Sequence, residues 1–262
     1  LFFLSAANFF QHIDEFFYIL RLKRAFIQNF INIMALMLCM ETSTERCSVA
    51  ISQDGRIEGY QEASGDFDHS SKLTLLIKAC LQESKREFGD LEAIAVSIGP
   101  GSYTSLRVGL STAKGFCFGL QLPLIALDSL WIIAHGAVQE NIDNADALFI
   151  PMIDARRMEV YLGVYDQVGI VIEAPNALTL TENSFDSFFV QNRSLVFAGN
   201  GAKKIEPLIQ STLARFSSVV SSAKAMPPLA EAAFQQKLFS DLAYTEPVYL
   251  KQPNITIAKS RL

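Results

Sequence analysis

Paired histidines, patterned cysteines and a basic excess are all missing from this chain of 262 residues. His69 and His135 are too isolated in sequence to suggest a shared metal, and a lone histidine near a helix end reads as a cap or surface group. Cys39, Cys47, Cys80 and Cys117 have neither the spacing of a zinc site nor that of a disulfide framework. Reduced thiols in the cytoplasm are the simplest account. With 22 basic against 27 acidic residues and a net charge of −5, overall charge does not suit the chain to gripping nucleic acid. Any such role needs a partner or a local patch. A membrane span wants about 20 largely uncharged apolar residues. The phenylalanine-rich residues 1–33 offer no such window, being broken by His12, Asp14, Glu15, Arg21, Lys23 and Arg24. The cationic start and small-residue cleavage site of a signal peptide are missing as well. Residues 1–33 are therefore expected to be a non-native, disordered or helical extension, with Met34 or Met37 as the native start.

What is present is a large apolar fraction, 50% of residues, enough to bury a sizeable core in two domains rather than one. From residue 35 the elements become regular. Residues 36–40, 47–52 and 56–63 read as three strands, the last two joined by a Gln53-Asp54-Gly55 hairpin signal. A polar loop over 64–68 leads to a helix in which Leu73, Leu76, Ile77, Cys80 and Leu81 keep helical spacing, capped by Asp68 or Ser70. A strand, a glycine loop, a helix, a strand over 123–127 and a helix over 128–138 follow. Three hairpin-joined strands followed by helix, strand, helix and strand make a mixed sheet flanked by helices, the pattern of a ribonuclease-H-like lobe.

The second half repeats the order less cleanly. Strands are expected over 147–153, 158–165, 170–174 and 194–198, with helices over 185–190 and 202–214. After Pro227-Pro228 a helix over 229–240 should pack back on the first half, followed by an extended tail over 246–253. The expected division is an extension over 1–33, a first lobe over 34–139, a smaller lobe over 140–226 and a returning C-terminal helix and tail over 227–262.

The chain is organised around residues 91–119, LEAIAVSIGPGSYTSLRVGLSTAKGFCFG. Gly99, Pro100, Gly101 and Ser102 interrupt a strand-to-helix passage, so backbone N–H groups at the helix start could cradle an anion. Equally, the glycines could supply only turn dihedrals and Ser102 only a cap. Within the helix, Ser105, Gly109 and Ala113 fall four apart on one stripe, and Gly115 and Gly119 on another. Each helical glycine is about 1 kcal/mol worse than alanine, so three of them ask for a close approach. Either the chain's own sheet or a partner helix would supply it.

Glu41, Thr42, Ser43 and Thr44 stand between the first two strands, where acetate kinases, sugar kinases and heat-shock ATPases place a phosphate-binding hairpin. The glycine such hairpins use is absent here. Glu41, Asp128 and Asp154 lie at strand ends, where any of them could act as a base, but none has an evident partner.

METSTERCSVAIS, DHSSKLTLLIKACL, SIGPGSYTSLRVGLSTAKGFCFGLQLPLIALDSL, IDARRMEVYLGVY and EPVYLKQP, in that order, resemble the TsaB family of bacterial tRNA threonylcarbamoyladenosine biosynthesis proteins. These are glycoprotease-like dimerisation subunits of a threonylcarbamoyltransferase complex. The resemblance implies an α/β fold of two ribonuclease-H-like lobes, as in actin-like ATPases, that has lost its own catalysis. It implies the catalytic subunit TsaD and the ATPase subunit TsaE as partners, tRNA reached only through the complex, no membrane, and self-association through the same helices. It implies no metal, and nucleotide binding that is at most vestigial, at residues 41–44 and 99–102. Where the catalytic relative carries two metal-binding histidines, this chain has Ser129 and Ile133.

The implied contact residues are His69, Leu73 and Leu76 on one helix, and Tyr103, Ser105, Leu106, Gly109, Thr112, Ala113 and Phe116 on the next, paired with their counterparts as a four-helix bundle. On this reading Gly109→Leu should abolish co-purification with TsaD and leave the chain folded. The alternatives are an active ATP-dependent kinase, recognised by tight nucleotide binding, and a metallopeptidase-like hydrolase, recognised by a bound metal.

Overall fold

A computed structural model of the chain describes residues 35–63, 69–140 and 146–251. The expected extension over 1–33, the polar loop over 64–68 with its candidate cap Asp68, and the tail beyond residue 251 lie outside the described residues. The described residues belong to one compact unit.

The first sheet contains β1 (Leu36–Glu41), β2 (Cys47–Gln53), β3 (Arg56–Ala63), β4 (Ala93–Gly99) and β5 (Leu124–Asp128), in the order β3-β2-β1-β4-β5. The first three are antiparallel neighbours, while β4 and β5 run parallel to β1. Asp54 and Gly55 turn the β2–β3 hairpin at φ of 52° and 71°, the left-handed pair whose twist matches that of the strands. Parallel neighbours need a crossover, supplied by α1 (His69–Ser84) before β4 and α2 (Tyr103–Leu120) before β5.

The second sheet repeats this plan. Its strands β6 (Leu148–Asp154), β7 (Glu159–Tyr165), β8 (Val171–Thr179), β9 (Leu195–Ala198) and β10 (Ala214–Phe216) lie in the order β10-β9-β6-β7-β8. Again the first three are antiparallel and the last two parallel to the first. Both lobes are ribonuclease-H-like mixed sheets of five strands flanked by helices.

Residue alternation assigns the layers. Every position of β1 is buried, because both faces of the strand are covered. Leu36, Leu38 and Met40 join Ile94 and Val96 beneath α1 and α2. The smaller Ala35, Cys39, Ala93 and Ala95, with Met37, face α4 (Pro227–Gln235), which packs back on this sheet. Helix α3 (Ser129–Glu140) is buried on nearly every side. Its Ile132 enters the core behind the first sheet, while Leu130, Ile133, Ala134 and Ala137 enter that of the second. A helix apolar all round is a helix between two layers.

Two expected elements differ. The helix over 202–214 is replaced by single 3-10 turns, Ala202–Lys204 and Glu206–Leu208, followed by β10. Ile205, Leu208 and Ile209 have helical spacing and do fill the second core. However, Pro207 lacks an N–H and disfavours helical backbone at Glu206. The helix over 229–240 stops at Gln235, because the chain turns so that Ser240 N donates to Leu124 O at 2.8 Å along the edge of β5. Strand β8 runs five residues further at its C-terminal end than expected and tolerates Pro175 because it is an edge strand.

If α3 is the shared layer, Ile132→Ala should lower stability by about 2–5 kcal/mol, read as a reduced urea midpoint at unchanged slope.

Candidate partner-docking face and inter-lobe cleft

The turn after β1 and the glycine loop after β4 lie against each other. Glu41, Thr42, Ser43 and Thr44 are all buried. Ser102 N donates to Ser43 O at 2.7 Å, and a Cβ on Gly101 would come within 2.3 Å of that same oxygen. The loop, which contains a cis Gly99-Pro100 peptide, sends Gly99 N to the Ser129 hydroxyl at 3.0 Å. Two N–H groups that could have faced a phosphate are thus bonded to protein oxygens, and backbone fills the space between turn and loop. Ser102 holds the N-cap position of α2 without capping through its side chain; its hydroxyl pairs with that of Ser105 at 2.9 Å.

The three strand-end carboxylates have separate environments. Glu41 is fully buried and accepts from Ser43 N at 2.5 Å, while its Oε2 has no hydrogen-bond partner. Burial pushes its pKa up, and hydrogen bonds from Ser43 oppose that shift. Asp128 caps α3 by accepting from Trp131 N at 2.8 Å, and burial raises its pKa as well. Asp154 is exposed, paired with Lys204 at 2.6 Å. Ser129 and Ile133 are completely buried, the first bonded to the glycine loop and the second in the core beneath the second sheet. No group of three His, Cys, Asp or Glu residues able to hold a metal occurs among the described residues. Burial raises the thiols of Cys39 and Cys47 to about 12 and those of Cys80 and Cys117 to about 11. None is a thiolate near neutral pH.

A cleft of about 850 Å³ opens between the lobes. Its first-lobe wall includes residues 43–46 and 100–104, and its second-lobe wall includes Asp154, Arg156, Tyr161 and Asn200. Asn200 links the walls by donating to Glu45 Oε2 at 2.7 Å.

The expected contact residues are mostly turned inward. His69 and Leu73 are buried, as are Ser105, Leu106, Gly109 and Ala113. Leu76, Thr112 and Phe116 are half-buried, Phe116 stacking on Phe88 at 5.1 Å. Tyr103 alone of the ten is exposed. The Ser105-Gly109-Ala113 stripe lets α2 approach its own lobe: a Cβ on Gly109 would stand 2.2 Å from Thr42 Oγ1. Four-residue spacing identifies a stripe but does not say which way it faces, and this one serves internal packing. The other small stripe is the outward one. Gly115 and Gly119 have nothing within 4 Å of an added Cβ, Ser111 is exposed, and Phe118 is 73% exposed beside them in sequence. On α1, Leu75 is 68% exposed. Phe118 and Leu75 were not singled out from sequence. Their signal was the break in helical spacing relative to the buried set.

Comparison with known proteins adds a family to this geometry. The profile of the TsaD family, tRNA N6-adenosine threonylcarbamoyltransferase, matches residues 64–259. The tRNA threonylcarbamoyladenosine biosynthesis protein TsaB of Escherichia coli is 29% identical over 221 residues, 82% of this chain and 94% of that protein. Its Bacillus subtilis counterpart is 26% identical over 219 residues, 82% of this chain and 93% of that one. The solved structure of YeaZ from Pseudomonas aeruginosa superposes with a TM-score of 0.70 at 28% identity, covering 83% of this chain and all of that one.

Glu41 makes a pH dependence measurable. A carboxyl whose pKa is raised by folding supports the fold fully below its unfolded pKa, and that support is lost as pH rises through the folded value. Glu41→Gln, which cannot ionise, should therefore be more stable than the parent at neutral pH, and this advantage should shrink as pH falls through the raised folded value and be gone below about 4.5. Urea midpoints of both proteins across that range check it. Gly109→Leu should destabilise the chain itself, by about 3 kcal/mol or more, seen as a lowered melting temperature of the isolated protein; the structure thereby replaces the expectation that this variant stays folded.

Proposed function

This chain belongs to the tRNA N6-adenosine threonylcarbamoyltransferase family, and we propose that it serves threonylcarbamoylation of the adenosine next to the anticodon as a non-catalytic subunit that docks on and activates the catalytic subunit TsaD. The observation that carries this reading is the outward face of α1 and α2. Two large apolar side chains, Leu75 and Phe118, stand exposed with two glycines open to solvent. Helices pack at about 8–10 Å, and small residues allow the close end of that range. An exposed apolar and glycine-lined helix pair suits a second helix pair of the same geometry, which a relative sharing the fold would supply. A second copy of this chain offers the same helices and is the competing occupant when TsaD is missing.

The interior supports the non-catalytic part of the reading. Ser102 N and Gly99 N are bonded to Ser43 and Ser129, and Ser129 and Ile133 stand buried where the catalytic relative has metal-binding histidines. Activation then comes from binding one conformation of TsaD better than another; its size is the ratio of those affinities. TsaE belongs to the same assembly, and tRNA is met within it.

Gly115→Leu should separate docking from folding. On an exposed helical position it gains about 1 kcal/mol of helix propensity, so the isolated chain stays folded while co-purification with TsaD is lost. Retained co-purification with Gly115→Leu and with Phe118→Asp would reject this face.

A further inference from the structure

Three motifs far apart in sequence meet along the segment over residues 246–251. Val248 N donates to Ile98 O at 2.7 Å, adding a backbone rung at the end of β4. The Val248 carbonyl passes so close to Gly99 that a Cβ there would lie 2.5 Å from it. Gly99, at φ 119°, is therefore required by both its backbone and this neighbour. Tyr249 packs on Tyr103 with ring centroids 4.6 Å apart and planes tilted by 31°, and Arg107 Nε donates to the Tyr249 hydroxyl at 3.1 Å. The Arg107 guanidinium lies 4.1 Å from the Tyr103 ring centre. Two residues on, Lys251 reaches the other lobe and pairs with Glu159 on β7 at 2.7 Å.

We propose that residues 246–251 form a strap that holds the two lobes in a closed arrangement and sets the width of the cleft between them. The strap is fastened unequally. On the first lobe it has a backbone hydrogen bond, a tilted aromatic pair and a guanidinium beside two rings, interactions that reinforce one another. On the second it has one ion pair, with 41% and 23% of the two side chains exposed. Such a pair contributes little and is screened by salt. Lys251 is thus the end that lets go. Other side-chain links from the first-lobe wall, Asn200 to Glu45 at 2.7 Å and the hydroxyls of Ser43 and Ser221 at 3.2 Å, are single hydrogen bonds. Release of Lys251 leaves the strap on the first lobe, against the first turn of α2, and removes its restraint on the cleft edge of the second lobe, which then pivots about the shared helix α3.

The strap concerns the chain's own two lobes, so its failure leaves the docking reading untouched. The test is a distance between lobes in the full chain, measured by paired spin labels at Asp54→Cys and Glu206→Cys. Both positions are exposed, and the four native cysteines are buried and escape labelling. Lys251→Glu should add a longer-distance population several-fold above that of the parent. The charge exchange Lys251→Glu with Glu159→Lys should return the distribution to the parent's. A distribution unchanged by Lys251→Glu, or a longer population that persists in the exchanged pair, would overturn the strap.

Discussion

The contact between the turn after β1 and the glycine positions around it governs the rest of this structure. Thr42 and Ser43 leave no room for a side chain at Gly109 or Gly101, with an added Cβ at 2.2 Å and 2.3 Å from their atoms. Helix α2 can lie against the first lobe only because of that smallness. The same closeness lets Ser43 O take the Ser102 N–H, so the place where an anion would be cradled is occupied by the chain. One steric constraint thus orients the helix whose outer face remains free and fills the pocket at its start.

Around that contact the fold is a duplicated plan. Each sheet has three antiparallel strands followed by two parallel ones in the same spatial order, and α3 belongs to both cores. The cleft forms where the first-lobe turn and loop face residues following β6 and β9. In the proposed role, what distinguishes this chain is the use of its surfaces. The end of β4 and the start of α3 satisfy each other, the Gly99 N–H donating to the Ser129 hydroxyl, while Leu75 on α1 and Phe118 on α2 stand exposed.

Much of this was legible from residues alone. Alternation and hairpin chemistry located β1 to β5 to within two residues, since Asp54-Gly55 permits few other conformations and buried β-branched runs have few other uses. The helix over 202–214 was misread because Ile205, Leu208 and Ile209 satisfy helical spacing whatever the backbone does, and Pro207 is the residue that decides. The two small stripes of α2 were both visible, yet nothing local tells Gly109 from Gly115. Only the position of Thr42, more than sixty residues earlier, makes one inward and the other free.

Sequence by itself determined the order and type of most elements, the small faces of α2, the missing histidines and the acidic balance, because propensity, periodicity and composition are local properties. Tertiary structure alone decided which small face is buried, that Glu41 lies uncharged-favouring in the core, and that Tyr249 and Lys251 join Tyr103 and Glu159. These depend on distances between residues remote along the chain. Such distances follow from how layers pack, and no short window of sequence records them.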